Sequence, residues 1–302
     1  MKSPEGVTFS YGAGLRGGYA AYWIADEYGL KYVVAPRRGA GRRPGCLSCV
    51  TVDATTQEDG SWEVWLESLG RFPGCSDPEM DDGMSAELAK AAVGRVLQRI
   101  GTRQVVRLTD NSDFPCGCGA GAPALKVDLT VHNALVYGAT YYQRKLGAEP
   151  SQPGTAALLR AIRGHRSSPA PSTPEALLSL VRERGEMRGR AAKELGAALE
   201  ALRGAWPRTW GELYASLNGL RPCGCAWVAR LGPLAMELSG LPRTTTLRGS
   251  VWVVPERSAW AWRSLVVEVR PLQEGEWARR VVNFVQRAER RAVSRLLAAT
   301  GV

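Results

Sequence analysis

The sequence predicts an α/β protein. A mixed sheet with flanking helices is expected over residues 1–150, followed by an α-rich region with a short β pair over 176–302. Three observations carry this expectation. Cys49–Asp53 and Trp62–Glu67 are strand-like runs separated by a turn that contains Asp59-Gly60, a dipeptide that favours a tight hairpin. Val105–Asp110 reads as a buried strand that leads through a Cys- and Gly-rich turn into an amphipathic helix. Beyond Pro174 the apolar residues recur at helical spacing, over Pro174–Arg203 and again over Glu274–Thr300.

In chain order, Val7–Tyr11 and Lys31–Ala35 have strand propensity. Tyr19–Tyr28, between them, predicts a short helix that turns Trp23 and Ile24 inward. Gly12, Gly14 and Gly17 match G-x-G-x-x-G spacing. No clean parallel strand precedes them and no acidic ribose partner follows in context, so the stretch reads as a turn. Arg37–Pro44 is a basic loop. Asp82 or Ser85 caps a helix that runs to Ile100, with Leu88, Ala92, Val96 and Leu97 on its apolar side. Residues 1–150 thus follow the order β, α, β, β, β, α, β, α.

Pro, Ser, Gly and Arg then dominate, and residues 151–175 read as a linker or surface loop. Thr209–Leu217 predicts another short helix, and Gly249–Val254 with Ser264–Val269 a strand pair. The last helix places Trp277, Phe284, Val285 and Leu296 on one stripe, while Arg280, Arg287 and Arg291 stand on the other face.

A hydrophobic content of 45% with 23% charged residues is ordinary for a globular protein, and no apolar run is long enough to span a membrane. The N-terminus lacks the apolar core of a signal peptide, so a cytoplasmic location is expected. The net charge of +10 favours an anionic partner: CoA, nucleic acid or an assembly surface. Heavy Arg, Ala and Gly usage from a GC-rich genome would give the same balance.

An odd count of seven Cys, without a secretion signal, predicts reduced thiols. Cys46 and Cys49 form a C-x-x-C pair, and Cys116 with Cys118 a C-G-C pair; together they would complete a tetrahedral zinc shell. The alternative is that the thiols pack as small hydrophobes. His132 and His165, the only histidines, supply no Cys/His or Ser/His nucleophilic pair.

The strand over Val105–Asp110, the turn, and the helix through Asn133-Ala134-Leu135-Val136-Tyr137-Gly138 and Tyr141-Tyr142-Gln143-Arg144-Lys145-Leu146-Gly147 resemble the closing half of GNAT-type acyl-CoA N-acyltransferases. The run around Tyr137–Arg144 is also similar to GNAT-like proteins of large DNA viruses. The resemblance covers about half of the chain. It implies a GNAT-like domain over residues 1–150, an acetyl-CoA or other acyl-CoA co-substrate, and Tyr142, next Tyr141, as general acid. It implies Glu67 or Glu63 as the base, because the period of two puts both on one face of their strand. The phosphate cradle would fall at Gly83, Ser85 and Ala86, with Arg71 upstream in place of the family's leading basic residue. Asp81 and Asp82 depart from that pattern, since they would repel a pyrophosphate.

Two classes of function follow. One is an acyl-CoA-dependent N-acyltransferase. The other is a catalytically silent GNAT-like protein with a structural role, basic and virion-associated, with protein partners in a larger particle. A nucleic-acid-binding protein is a third reading, resting on charge and the Arg-faced last helix alone.

Overall fold

The computed structural model describes residues 5–11, 14–25, 29–36, 49–69, 84–110, 113–116, 125–185, 188–220 and 224–271. The chain is mixed α/β and divides into two compact units, Met1–Leu108 with Val254–Val302, and Thr109–Val253. The first unit's N-terminal part ends at Leu108.

The first unit holds strands β1 (Glu5–Tyr11), β2 (Gly14–Ala25), β3 (Gly29–Pro36), β4 (Val50–Thr56), β5 (Trp62–Leu69) and β6 (Val106–Thr109), joined by a late strand, β11 (Val266–Pro271). Their order is β11-β1-β2-β3-β4-β5-β6. Every neighbouring pair is antiparallel except β5 and β6, where Val64 lies opposite Val106 and Leu66 opposite Leu108 in parallel register. A parallel step needs a crossover, and helix α1 (Met84–Ile100) provides it.

Alternation decides which face α1 covers. Tyr32, Val34, Val50, Val52, Val64 and Leu66 are buried on one side of the sheet, and Leu88, Ala92, Val96 and Leu97 of α1 are buried with them. A second surface of α1 meets the 3₁₀ turn Trp262–Leu265 and the short helix α9 (Glu256–Ala261). Contact there is close. A Cβ added to Gly94 would stand 2.3 Å from the Trp262 carbonyl oxygen, so only glycine fits. Gln98 Nε2 donates to the Arg263 carbonyl at 2.9 Å beside it.

Tyr19–Tyr28, expected as a helix, lies mostly in β2. Tyr22, Trp23 and Ile24 pair across to Val33, Tyr32 and Lys31. Aromatic and β-branched side chains suit a pleated surface with strands on both sides, and this pairing overrides the local helical pattern. The Asp59-Gly60 hairpin is present as β4–β5, with Gly60 at φ 77°.

The second unit begins with the antiparallel pair β7 (Asp113–Cys116) and β8 (Leu125–Asp128). Helices α2 (Leu129–Tyr137) and α3 (Tyr141–Leu146) follow, then β9 (Glu149–Pro150). Asp128 caps α2 by accepting from the Thr130 and Val131 amides, Gly138 ends it at φ 74°, and Thr140 with Gln143 forms a capping box for α3.

Helix α4 (Pro153–Ser167) occupies the stretch expected as a linker. Leu159, Ile162 and His165 are buried at helical spacing, and this burial outweighs the loop-like composition. The single helix expected over Pro174–Arg203 is two, α5 (Pro174–Glu183) and α6 (Gly189–Glu200), with Gly185 at φ 72° between them. Helix α7 (Trp210–Gly219) starts at a Thr209–Glu212 capping box, α8 (Gly224–Leu238) follows, and β10 (Val251–Val254) pairs with β9. The strand pair expected near the C-terminus is therefore not a pair, because β10 joins β9 and β11 joins β1.

Buried polar groups tie this unit together. Arg166 donates from Nε to the Leu135 carbonyl at 2.6 Å and from Nη2 to that of Val136 at 3.0 Å, satisfying the exposed end of α2. His165 Nε2 and the Tyr214 hydroxyl are 2.9 Å apart, beside the ring of Trp210. The Asp110 amide donates to the Ser250 carbonyl at 2.9 Å, and the Gly249 amide donates to the Asp110 carbonyl at 2.5 Å. A disulfide joins Cys116 of β7 to Cys225 of α8 and packs against Val127 and Ala226. It corrects the expectation of reduced thiols. The pairing bridges a separation of 109 residues that spacing alone does not reveal. The Arg-faced helix expected over Glu274–Thr300, the basic loop Arg37–Pro44 and the cap candidate Asp82 lie outside the described residues.

Candidate functional site

On the other face of the sheet, Lys31, Asp53 and Glu63 stand among Val33, Thr51 and Trp65. Lys31 of β3 lies directly across from Asp53 of β4. The β4–β5 register slips between Thr51 and Val52, so Thr51 pairs with Ser68 and Val52 with Leu66, and Glu67 is the extra residue. Such a bulge re-aims a side chain. Lys31 Nζ stands 3.2 Å from Asp53 Oδ2 and 3.2 Å from Glu67 Oε2. Three adjacent strands thus bring an ammonium and two carboxyls together.

The three groups set one another's protonation. Burial, the hydrogen bond to Glu67 and the negative charge of Glu67 push Asp53 up to about 7, against the pull of Lys31. Burial would raise Glu67 too, but its hydrogen bonds to Asp53 and Lys31 with the ammonium charge hold it below the usual carboxylate range. Burial would lower Lys31, yet Asp53 and Glu67 outweigh it and keep the amine charged. The pair therefore exchanges one proton near neutrality, with Asp53 the member pushed up and Glu67 the member held down. Asp53 Oδ1 is buried without a hydrogen-bond partner. Its side chain still keeps 19% of its surface exposed, so protons can reach it. A carboxyl with these properties can take or give a proton at neutral pH.

Of the residues expected in a site, Glu67 belongs to this cluster. Glu63 stands on the same strand, 3.1 Å from Arg107 Nε across the parallel step, and accepts from Gln57 Nε2 at 3.3 Å. Tyr141 and Tyr142 are buried on α3 in the other compact unit. The Tyr142 hydroxyl donates to Asp110, and its ring packs edge-on to Tyr141 and beside Trp252. Ala86 is buried within α1, and Ser85 belongs to its first turn. Gly83 and Arg71 lie outside the described residues.

Two of the four candidate zinc ligands, Cys49 and Cys116, are among the described residues. Cys116 is bonded to Cys225 and Cys49 is also in a disulfide, so neither offers a thiolate. Cys46 and Cys118 lie outside the described residues, among which no three His, Cys, Asp or Glu side chains gather to hold a metal ion. No described helix is long and apolar enough to cross a membrane.

Asp53 and Lys31 escape a reading by sequence motif. Asp53 does carry one signal, a lone carboxylate among Val50, Val52 and Ala54 in a strand otherwise buried or uncharged. Lys31 carries none, because cross-strand register alone brings it to Asp53. Compared with protein-family models, curated proteins and solved structures, the chain matches none.

Proposed function

We propose that this chain is a GNAT-like, acyl-CoA-dependent N-acyltransferase in which Asp53, supported by Glu67 and Lys31, is the proton acceptor. The observation that carries the reading is the carboxyl pair of Asp53 and Glu67 beside Lys31, with Asp53 near 7. The β5–α1–β6 unit supports it, since the N-terminus of a helix at such a crossover suits a phosphate. Acyl-CoA would supply the thioester. The acceptor ammonium gives its proton to the Asp53 carboxylate, and the neutral amine then attacks the thioester carbonyl. The C–N bond forms, the C–S bond breaks, and the proton that the new amide nitrogen sheds goes to the leaving thiolate, giving CoA. Lys31 keeps Glu67 ionised, so the proton has one place to go.

Calorimetry and thermal shift with acetyl-CoA and CoA at millimolar concentration test this reading. Heat of binding and a raised melting temperature are expected. With an amine acceptor, Asp53→Asn should lower turnover by about 10²-fold or more while sparing acetyl-CoA affinity. Absence of heat and of thermal shift for the unaltered protein overturns the proposal.

One observation favours the second reading, a catalytically silent GNAT-like assembly protein. The Tyr142 hydroxyl, the family's usual proton donor, is buried and spent on Asp110. A protein of this kind would bind neither acetyl-CoA nor CoA, and its basic surface would serve a virion or another anionic assembly.

A further inference from the structure

Arginine and tryptophan gather at the C-terminal end of α1, within the first compact unit. Arg263 Cζ lies 3.8 Å from the centre of the Trp260 ring, and Arg103 Cζ lies 5.6 Å from it. Arg99, in the last turn of α1, stands 5.5 Å from the ring of Trp23. Arg257 precedes Trp260 by three residues and Arg263 follows it by three. Helix α9 and the 3₁₀ turn that continues it therefore set all three on one side.

These cations have no carboxylate of their own. Among the described residues, Arg99, Arg103, Arg257 and Arg263 enter no ion pair, whereas Arg107, Arg184 and Arg203 each hold a glutamate. Glu256 is the one acid between Val254 and Val267, and it too is outside any ion pair. Arg263 is the telling member. It is half-buried, and its Nε is buried without a hydrogen-bond partner. A shielded donor left unpaired is costly, so the arrangement suits one that an incoming anion completes. A guanidinium laid on an indole is held in place by cation–π attraction, with its N–H fork free for an oxyanion. Trp260 and Trp262 are themselves half-buried, which leaves ring surface at the same place.

We infer that this patch binds single-stranded nucleic acid. Arg103 and Arg263, positioned by Trp260, hold backbone phosphates, and Arg99 and Arg257 extend the positive track. Unpaired bases stack on Trp262 and on the outer side of the Trp260–arginine stack. Interleaved rings and cations favour a single strand over a duplex, whose bases are already stacked on one another. The patch shares no residue with the Asp53 cluster, and the inference does not rest on acyl transfer.

Fluorescence anisotropy of a labelled oligothymidylate of about twelve nucleotides, titrated with the full chain over a salt series, tests it. The unaltered protein should bind, with log affinity falling against log salt by about 0.7 for each phosphate held. Arg103→Gln with Arg263→Gln should weaken binding at least ~10-fold and flatten that slope by about 1.4. Arg160→Gln with Arg182→Gln removes the same charge from exposed positions in the second unit and should leave binding nearly unchanged. Trp260→Leu keeps every charge yet should weaken binding about tenfold, within the worth of one stacked base. Thermal unfolding checks that this variant folds; if it does not, the two arginine pairs decide. A duplex of equal length and inorganic polyphosphate should compete poorly. No binding by the unaltered protein, equal losses from the two arginine pairs, full binding by folded Trp260→Leu, or competition by duplex or polyphosphate as strong as by the single strand overturns the inference.

Discussion

The Tyr142 hydroxyl donates to Asp110 Oδ1 at 3.3 Å, and both side chains are buried. At that length the bond is a weak one. It links α3 to the segment that follows β6, which is a structural duty for a tyrosine expected to be a catalyst. Tyr142→Phe should therefore cost about 1 kcal/mol of stability and leave acetyl-CoA affinity unchanged. A fall in turnover of ~10² or more without loss of stability would return Tyr142 to the general-acid role.

Acid should move the two units in opposite directions. Folded Asp53 holds its proton up to about pH 7, whereas the unfolded chain releases it near pH 4. Its contribution is therefore greatest below that value and is lost as pH rises through 7. Burial lowers His165 and His132 to about 4, although a hydrogen bond to Asn218 opposes the shift at His132. Their contribution is full above about pH 6.5 and is lost as pH falls toward 4. Going from about pH 7 to pH 5 should thus weaken the second unit, by calorimetric melting, while Asp53 favours the first. His132→Gln with His165→Gln should flatten the acid-side loss, and Asp53→Asn should flatten the opposing gain.

Two glycines in helices should respond with opposite signs. Gly164→Ala in α4 adds a methyl where nothing stands within 4 Å, so it should stabilise by about 0.5–1 kcal/mol. Gly94→Ala drives its methyl into the Trp262 carbonyl and should destabilise by about 1–3 kcal/mol. Denaturant unfolding of the pair distinguishes helix propensity from the close approach of α1 to the 262–265 turn. Equal signs would mean that the contact yields.

Removing the disulfide should act on one unit. Cys116→Ser with Cys225→Ser is expected to cost about 2–5 kcal/mol, seen as a lower melting transition for the second unit with the first unmoved. Reduction of the unaltered protein should reproduce that shift.

Local chemistry made parts of this fold legible. Asp59-Gly60 announced the β4–β5 hairpin, and Thr209 announced the start of α7. Period two on β5 put Glu63 and Glu67 on the polar face, where both stand in ion pairs. Non-local contacts hid the rest. Helix α8 escaped because Gly224, Gly232 and Pro233 break its pattern, yet Val228, Leu231 and Leu234 bury it against its neighbours. Pro and Ser disguised α4 as a linker until Leu159 and Ile162 found a core. In the site, Lys31 and Asp53 meet through register between strands, and the β4–β5 bulge beside them leaves no mark in a one-dimensional pattern.

The paired backbone bonds of Asp110 with Ser250 and Gly249 mean that residues 109–253 begin and end at nearly one place. A segment whose ends already touch needs little extra entropy to be closed on itself. Thr109–Val253 therefore has the layout of a cassette. Its natural ends tolerate joining by a short turn, new termini can be opened in an exposed loop elsewhere, and it can be carried as an insert by another scaffold without a long linker.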